Sequence, residues 1–498
     1  MGTSLGFQRF HPEGTNDLEH DTNSTQSAMM NPTSHPLGTS PREQGEGAEG
    51  EPRLNSSTAL HTRGAGEPRA NLRTLPSVFA GAFFVFVCFV VSTCTAADDL
   101  PAGFQRIKGK YIDVITDLPL DAEIRSLPTV FDAAMPRWCE EFDMDLEDVA
   151  DWHIEAFVML RRDEFKKAGF IPSKLPAFPY GFQFGNQVWV VEQPSPYYRR
   201  HLLLHEGTHW FMNRKYGDHG PPWLMEGTAE WLGTHRWDGK NLTMGIIPKT
   251  KVEVEYWGRI SLIQKQLVDG VAPSLEEILK YDNKAHQNVE AYAWSWAAVI
   301  FLKNHPGTNK AFAELLKQKM TSDQTLTRWL FRKLQSQWPQ IRSEWNTMLT
   351  ELEYGYDPSR GMLAMSRIAK PIGDKPITLE LAADRSWQTT GVKIAEGDTV
   401  TIQGNGEYSV CDKPKPWRCQ AAGVTLEYYR GEPLGKLLMT VAVSQDKEQF
   451  SQPIEVITVG EQLEYTAKQA GELHFRINES SGGLGDNSGT VTVTIRKQ

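Results

Sequence analysis

Hydrophobic and polar residues follow two different periods along the chain, and the change of period divides it into two regions. In the first region, apolar residues recur at helical spacing in 122–142, 274–279, 290–302, 309–319 and 340–352, within a stretch from 196 to 352 where helices dominate. Three earlier runs read as strands, at 111–118, 152–160 and 183–192. Strands followed by helices predict an α+β unit with a mixed sheet, spanning 98–354.

Beyond residue 376 the period becomes two. Short alternating runs, separated by Gly, Asp, Asn or Pro turns, lie at 377–381, 392–394, 399–403, 424–429, 437–443, 454–459, 463–466, 472–477 and 491–495. Many short strands at regular spacing predict an all-β sandwich or jelly roll over 376–498. Residues 355–375 contain several Gly and Pro residues and are predicted to be a linker.

The first 97 residues have a different composition from the rest. Residues 1–74 are polar and rich in Gly, Ser, Thr and Pro, so they are predicted to be disordered. Residues 75–97 read as a signal peptide, with an apolar stretch between upstream arginines and small residues, and cleavage is predicted near Ala97. Three alternatives stay open: a true start downstream of Met1, an uncleaved membrane anchor, and a lipoprotein with Cys94 lipidated. We expect an exported protein, whether secreted, periplasmic or at the cell surface.

Length, charge and cysteine content narrow the class of protein. A chain of 498 residues predicts at least two domains, and a net charge of −10 argues against a nucleic-acid partner. Cys411 and Cys419 enclose a short Pro-containing loop, which predicts a disulfide in an exported protein. Cys139 is expected to be a free, buried thiol.

A helix with clear start and stop signals carries two histidines one turn apart. Ser195 is a predicted N-cap, Pro196 takes the first helical position and Gly217 can end the helix. His205 and His209 lie on one face of this helix, so their ring nitrogens can converge on one metal ion. Together with the intervening glutamate they predict a zinc site.

A second helix supplies the remaining groups that such a site needs. Catalytic zinc has three protein ligands, and Glu226, in a helix that starts at 221–222, completes a His₂Glu set. Glu230 lies one turn further and can accept an imidazole N–H from a ligand histidine. Glu206 is placed to take a proton from a bound water. The alternative is an ordinary pair of helices whose histidines lie near a salt bridge.

The two helices resemble those of the gluzincin zinc metallopeptidases, the group of thermolysin and aminopeptidase N. The matching segments are HEGTH at 205–209 and WLMEGTAEW at 223–231, and the connection between them is shorter than in the aminopeptidases. The resemblance implies a zincin-like fold, zinc bound by His205, His209 and Glu226, and Glu206 as the general base.

A third helix is similar to the aminopeptidase helix whose tyrosine stabilises the oxyanion. It reads AYAWSWA at 291–297, and the resemblance makes Tyr292 the candidate, with a packed core aromatic as the alternative. Residues 181–191 can correspond to the substrate-binding edge strand, but they lack the glutamate that binds a substrate amino terminus. Endopeptidase and exopeptidase activity therefore both stay open. We interpret His219 and Asp218 as a solvated loop pair, and His201 as a helix-surface residue or a partner of the site.

The last loop of the chain, within 475–489, resembles the terminal loop of the PA-I type calcium-dependent galactose-binding lectins. Carboxylate, amide and carbonyl oxygens suit Ca²⁺. The resemblance implies calcium contacts at Glu479, the Gly483 carbonyl, Asp486 and Asn487. Glu479 and Gly483 depart from the residues of that family, and a simple turn between two strands is the alternative.

Two functions follow as hypotheses. The first is a secreted zinc peptidase acting on a peptide, a protein or another amide, with an accessory domain that resembles a carbohydrate-binding lectin. The alternative is a carbohydrate-binding surface protein whose peptidase-like domain is not catalytic. An intact His-Glu-x-x-His motif favours the peptidase.

Overall fold

The structure is a computed structural model that describes residues 100–217, 220–282, 284, 288–318, 323–413, 415–445 and 454–498. The predicted disordered leader, the signal peptide with its cleavage near Ala97, and the pair Asp218 and His219 lie outside these residues. Among the helices of the described residues, none combines the length and the apolar character needed to cross a membrane.

The first region builds a five-stranded mixed sheet. In chain order its strands and helices are β1 (Gln105–Lys108), β2 (Ile112–Thr116), α1 (Ala122–Phe142), β3 (Ile154–Met159), α2 (Arg162–Lys167), β4 (Gly181–Phe184) and β5 (Gln187–Val191). The strand order is β1-β2-β3-β5-β4, with β2, β3 and β5 parallel and both outer strands antiparallel. The strands predicted at 111–118 and 152–160 are confirmed. The single strand predicted at 183–192 is wrong, because the chain turns back at 185–186 and forms the hairpin of β4 and β5.

Helices then dominate as predicted. They are α3 (Pro196–Tyr216), α4 (Pro222–Gly233), α5 (Arg259–Val268), α6 (Leu275–Leu279), α7 (Val289–Asn304), α8 (Asn309–Leu316), α9 (Asp323–Lys333) and α10 (Trp338–Glu351). A small hairpin of β6 (His235–Trp237) and β7 (Leu242–Met244) interrupts them. One hydrophobic core joins the sheet to these helices, and many of its largest buried side chains are tryptophans.

Two glycines inside the predicted metal-binding segments let the helices approach closely. A Cβ at Gly207 of α3 would lie 2.7 Å from the Phe131 ring and 2.8 Å from the Trp138 ring, both on α1. A Cβ at Gly227 of α4 would lie 2.4 Å from the backbone oxygen of Ser295 on α7. These contacts hold α3 and α4 against fixed neighbours, and so fix the side chains that both helices direct toward each other.

The second region is β-rich, as predicted. Its elements are α11 (Pro358–Gly361), β8 (Lys370–Pro371), β9 (Ile377–Ala382), β10 (Gln388–Ile394), β11 (Thr399–Asn405), β12 (Tyr408–Ser409), β13 (Arg418–Cys419), β14 (Val424–Tyr429), β15 (Glu432–Leu434), β16 (Leu437–Ala442), β17 (Ile457–Thr458), β18 (Gln462–Thr466), β19 (Gly471–Ile477) and β20 (Thr490–Lys497). Two sheets, ordered β17-β16-β19-β10-β8 and β18-β11-β20-β9, share one hydrophobic core. The region is therefore a two-sheet sandwich.

The segment between the two cores is packed, although its composition is typical of a linker. Leu363 and Met365 are buried. The Leu363 carbonyl lies 2.7 Å from Nε2 of His305, and the Met365 N–H donates to Glu344 at 2.8 Å. The Ser366 N–H donates to Glu472 of the sandwich at 3.0 Å. The segment is thus held by buried side chains from both regions.

The predicted disulfide between Cys411 and Cys419 is wrong, since both thiols are free, as is that of Cys139. The reason is the register of β12 and β13, in which Tyr408 pairs with Cys419. Cys411 lies three positions beyond Tyr408, about 10 Å further along an extended chain. A disulfide needs Cα atoms within about 7 Å, so this separation is too large for the bond.

Candidate metal centre

The helix α3 begins and ends at the residues that its capping signals predict. The Ser195 side chain accepts a hydrogen bond from the Tyr198 N–H at 3.1 Å, and Pro196 follows it. At the other end, Gly217 adopts a left-handed conformation with φ 74°, and its N–H donates to the Asn213 carbonyl. The capping signals in the sequence therefore predict both ends of α3 correctly.

Three donor atoms on α3 and α4 form a compact triangle. Nε2 of His205 and Nε2 of His209 lie 3.1 Å apart, and each lies 3.3 Å from Oε2 of Glu226. Zn²⁺ bonds of 2.0–2.1 Å in tetrahedral geometry place ligand atoms about 3.3 Å apart, which is close to these distances. Oε2 of Glu226 is buried without a hydrogen-bond partner. A divalent cation among these three atoms would supply that missing partner, so the donor set fits a metal ion.

The electrostatics of Glu226 agree with a ligand role. Burial alone would raise the pKa of the Glu226 carboxyl, but His209 and His205 outweigh it and lower the pKa to about 2. The carboxylate is therefore ionised at neutral pH, the state in which it binds a metal ion.

Glu206 lies beside this triangle in a buried position. Burial raises the pKa of its carboxyl to about 8; His209 lowers it, while the negative charge of Glu226 adds to the rise. The side chain lies against β4, because a Cβ at Gly181 would be 2.4 Å from Oε1 of Glu206. The edge strand of the sheet and the carboxylate thus meet at the cluster.

Glu230 is the centre of a buried hydrogen-bonding group behind His205. Its Oε1 lies 3.5 Å from Nδ1 of His205, and its Oε2 lies 3.5 Å from Nε2 of His201. The Arg259 guanidinium donates to both carboxylate oxygens, at 2.9 and 3.1 Å, and the Trp257 indole donates at 3.2 Å. Glu230 thus lies next to Nδ1 of His205, which is buried without a hydrogen-bond partner, and its role in orienting the His205 ring stays a prediction.

His201, His205 and Glu230 form a second group whose donor atoms lie close enough to hold a metal ion. Burial would raise the pKa of Glu230, but Arg259 and His201 outweigh it and hold the pKa well below its usual range. Because the guanidinium already neutralises this carboxylate and occupies both its oxygens, a second cation is disfavoured here. The structure also buries His201 completely, so it is not a helix-surface residue.

Tyr292 lies next to the cluster on α7. Its ring centroid is 5.9 Å from that of His205, and the two rings meet edge to face. The Arg259 guanidinium lies 5.9 Å from the Tyr292 ring centroid on another side. Burial raises the pKa of the phenol, with Glu226 adding to the rise, so the hydroxyl keeps its proton at neutral pH. Tyr292 is thus a neutral phenol whose ring lies against the His205 ring.

Sequence reasoning did not find Arg259, Trp257 or Gly181. Trp257 and Arg259 lie 24 and 26 residues after the end of the ligand helix and match no motif, and Gly181 matters only because β4 folds onto Glu206. An arginine at the start of an otherwise amphipathic helix was the available signal, and it carried no indication of its partner.

The loop predicted to bind calcium lies at the junction of the two regions. Oε2 of Glu479 and Oδ1 of Asn487 are buried without hydrogen-bond partners, and a Cβ at Gly483 would lie 2.5 Å from Oε1 of Glu479. Burial raises the pKa of Glu479 to about 7; the Ser480 N–H lowers it, and the charge of Asp486 adds to the rise.

The same loop packs against the first region. The Ser481 N–H donates to Glu353 at 2.8 Å, and Gly482 lies close to Gly355. Among the described residues, the groups of three or more His, Cys, Asp or Glu side chains that could hold a metal ion all lie on α3 and α4, and none includes Glu479 or Asp486. A calcium site here would therefore depend on amide and backbone oxygens as well.

The fold and the cluster define a class: a mixed helix and sheet region with a two-helix His–Glu centre able to hold a metal ion, followed by a β-rich region. No family model matches the sequence, and no curated protein does. Among solved structures, one that is similar is described as the EclA N-terminal domain, a PllA-like lectin, with 16% identity and a TM-score of 0.19. It covers 24% of this chain and 95% of its own.

Two other similar structures are metallopeptidases. One is IMPa from Pseudomonas aeruginosa in complex with an O-glycopeptide, with 12% identity, a TM-score of 0.16, and coverage of 55% of this chain and 27% of its own. The other is the IMPa metallopeptidase in complex with T-antigen, with 13% identity, a TM-score of 0.16, and coverage of 79% and 42%. This chain thus spans less than half the length of these metallopeptidase chains.

Proposed function

We propose that the protein is an exported zinc-dependent peptidase of the gluzincin type. The observation that carries this proposal is the triangle of His205, His209 and Glu226 donor atoms, with edges of 3.1 to 3.3 Å and an unpartnered carboxylate oxygen. Two imidazoles and one carboxylate are a ligand set typical of catalytic zinc in peptidases.

The residues around the cluster have different roles in the proposed peptide hydrolysis. A zinc ion at this site supplies polarisation of the scissile carbonyl and an acidified water. Glu206 accepts a proton from the attacking water and returns it to the leaving amine. Glu206 would be ionised with a cation bound at this site, because a positive charge nearby opposes the effect of burial on its pKa.

The neighbouring side chains complete the site. Tyr292 donates its hydroxyl proton to the developing oxyanion. Glu230 would hold His205 in the tautomer that leaves Nε2 free to bind a metal ion. The edge strand β4, which lies against Glu206, offers backbone groups to an extended peptide substrate.

Zinc content tests this assignment. We expect one zinc ion per chain in the wild-type protein and a large loss in His209→Ala, because two protein ligands do not hold the ion firmly. Elemental analysis after dialysis against a mild chelator measures this. His153→Ala, which changes an exposed histidine of the first region, is the control. Equal zinc in the two variants would rule out the cluster as the metal centre.

A second function is proposed for the C-terminal sandwich, a calcium-dependent, lectin-like binding module of the galactose-binding jelly-roll type. The two unpartnered buried oxygens of Glu479 and Asn487 favour it. The alternative function of the whole chain is that of a carbohydrate-binding surface protein with a non-catalytic peptidase-like domain. It requires this module to bind carbohydrate and Glu206 to have no catalytic role.

Calcium is expected to raise the melting temperature of the full chain. Binding to the folded state alone stabilises it by about 2.7 kcal/mol when calcium is present at 100 times its dissociation constant. Differential scanning calorimetry with calcium, and with magnesium at equal ionic strength, measures the effect. Asp486→Asn should remove the calcium response, while Glu464→Gln, at a β18 position outside the loop, should retain it. An equal shift with both cations, or with neither, would contradict the site.

A further inference from the structure

Arg259 is the one cation that binds Glu230 through both carboxylate oxygens among the described residues. It is the first residue of α5 and is buried. Nη2 donates to Oε1 at 2.9 Å and Nε donates to Oε2 at 3.1 Å. A two-point contact of this kind fixes the plane and the direction of a carboxylate, which a single charge cannot do.

The guanidinium is itself held in place. Nη1 of Arg259 donates to the Trp257 carbonyl at 3.2 Å, and the Trp257 indole donates to the same Glu230 oxygen that accepts from Nε of Arg259. Arg259, Trp257 and Glu230 therefore form a closed buried unit, and Glu230 presents its other side to the Nδ1 atom of His205 at 3.5 Å.

Arg259 also contacts two tyrosines near the metal centre. Nη2 donates to the Tyr198 hydroxyl at 3.4 Å, and the guanidinium lies 5.9 Å from the Tyr292 ring centroid. Arg259 thus contacts both Glu230, which lies next to the proposed metal ligand His205, and the ring of Tyr292, which is proposed to stabilise the oxyanion.

We infer that Arg259 is a positioning residue that sets the orientation of His205 through Glu230 and the position of the Tyr292 ring directly. This inference rests on the proposed function, since it concerns the same centre. Arg259 does not contact the donor atoms of His205, His209 and Glu226. It therefore acts on the metal centre through Glu230 and Tyr292. Lysine would keep the charge and lose the two-point contact, which separates positioning from simple charge compensation.

Arg259→Lys is the test, with Arg342→Lys as a matched control. Arg342 forms an ion pair with the buried Glu276, away from the cluster. We expect Arg259→Lys to weaken zinc binding about 10- to 100-fold, as loss of outer partners of metal ligands typically does. Competition with a chromophoric chelator measures the dissociation constant, and the visible absorption of the cobalt-substituted protein reports the ligand geometry. Arg342→Lys should change neither.

Several outcomes would overturn the inference. An unchanged zinc dissociation constant and cobalt spectrum in a folded Arg259→Lys protein would do so, as would equal changes in Arg342→Lys. If Arg259→Lys does not fold, Trp257→Phe removes one donor to Glu230 and is expected to weaken zinc binding in the same direction; an unchanged affinity there also overturns it. Failure of the wild-type protein to bind zinc would instead refute the proposed function, so the two failures are distinguishable.

Discussion

Replacing Glu206 by glutamine is expected to lower the rate of peptide hydrolysis by about 10²- to 10⁴-fold, the range that general acid–base catalysis typically contributes. Glutamine keeps the shape of the side chain but cannot accept the proton of the attacking water. Zinc content should stay at the wild-type level, because His205, His209 and Glu226 supply the donor triangle without Glu206. Steady-state cleavage of a peptide library, with elemental analysis on the same samples, measures both quantities.

Two further variants sharpen this result. Glu140→Gln, on the exposed face of α1, is a control expected to retain full activity. Gly181→Ala should reduce activity without unfolding the protein, because the new methyl group would displace the Glu206 carboxylate, the flexible end of that side chain. Wild-type activity in Glu206→Gln would remove the peptidase proposal and leave the binding-protein alternative.

Much of the fold follows from local sequence signals. The helix predicted at 122–142 has those bounds in the structure, and α3 begins after Ser195 as its capping signals indicate. The alternation beyond residue 376 predicts most strands of the sandwich. These features depend on residues a few positions apart, and such residues determine helix ends and strand faces.

The errors in the fold arise where distant residues decide the structure. The run at 183–192 contains Gly185 and Asn186, where the chain folds back so that β5 pairs with β3 while β4 occupies the edge. Cys411 and Cys419 are near in sequence, yet the register of β12 and β13 pairs Cys419 with Tyr408, three positions before Cys411. Neither pairing can be read from spacing alone.

The candidate site also has one part that the sequence predicts and another that it does not. The donor triangle is predictable because its atoms lie one turn apart on α3 and on the helix that follows directly. The Arg259 and Trp257 contacts with Glu230 are not, because a long stretch of chain folds back to make them. Sequence motifs identify the candidate metal ligands. The side chains that hold those ligands in place are brought there by tertiary packing, which the motifs do not show.

A buried ion pair joins the first region to the sandwich. Glu351, at the end of α10, is paired with Arg476 of β19, and both side chains are almost fully buried. The Ser481 hydroxyl donates to Glu351 at 3.0 Å, and Arg430 approaches its other oxygen at 3.3 Å. Burial would raise the pKa of Glu351, but the charges of Arg476 and Arg430 outweigh it and lower the pKa. The carboxylate is thus ionised in the interior and depends on the sandwich for its partners.

Arg476→Met is therefore expected to reduce the free energy of unfolding by about 3–5 kcal/mol, because it leaves a buried carboxylate without its main partner. Urea denaturation at neutral pH, monitored by tryptophan fluorescence, measures this loss as the change in the free energy of the first unfolding transition. Arg418→Met removes an exposed pair with Glu407 and should cost at most about 1 kcal/mol. The double variant Glu351→Leu with Arg476→Met should recover most of the loss, since no unpaired charge remains.

Equal losses in Arg476→Met and Arg418→Met would mean that Glu351 finds another partner or takes up a proton. In that case the junction would not depend on this pair, and the sandwich would be joined to the first region mainly through the packed segment around Leu363 and Met365.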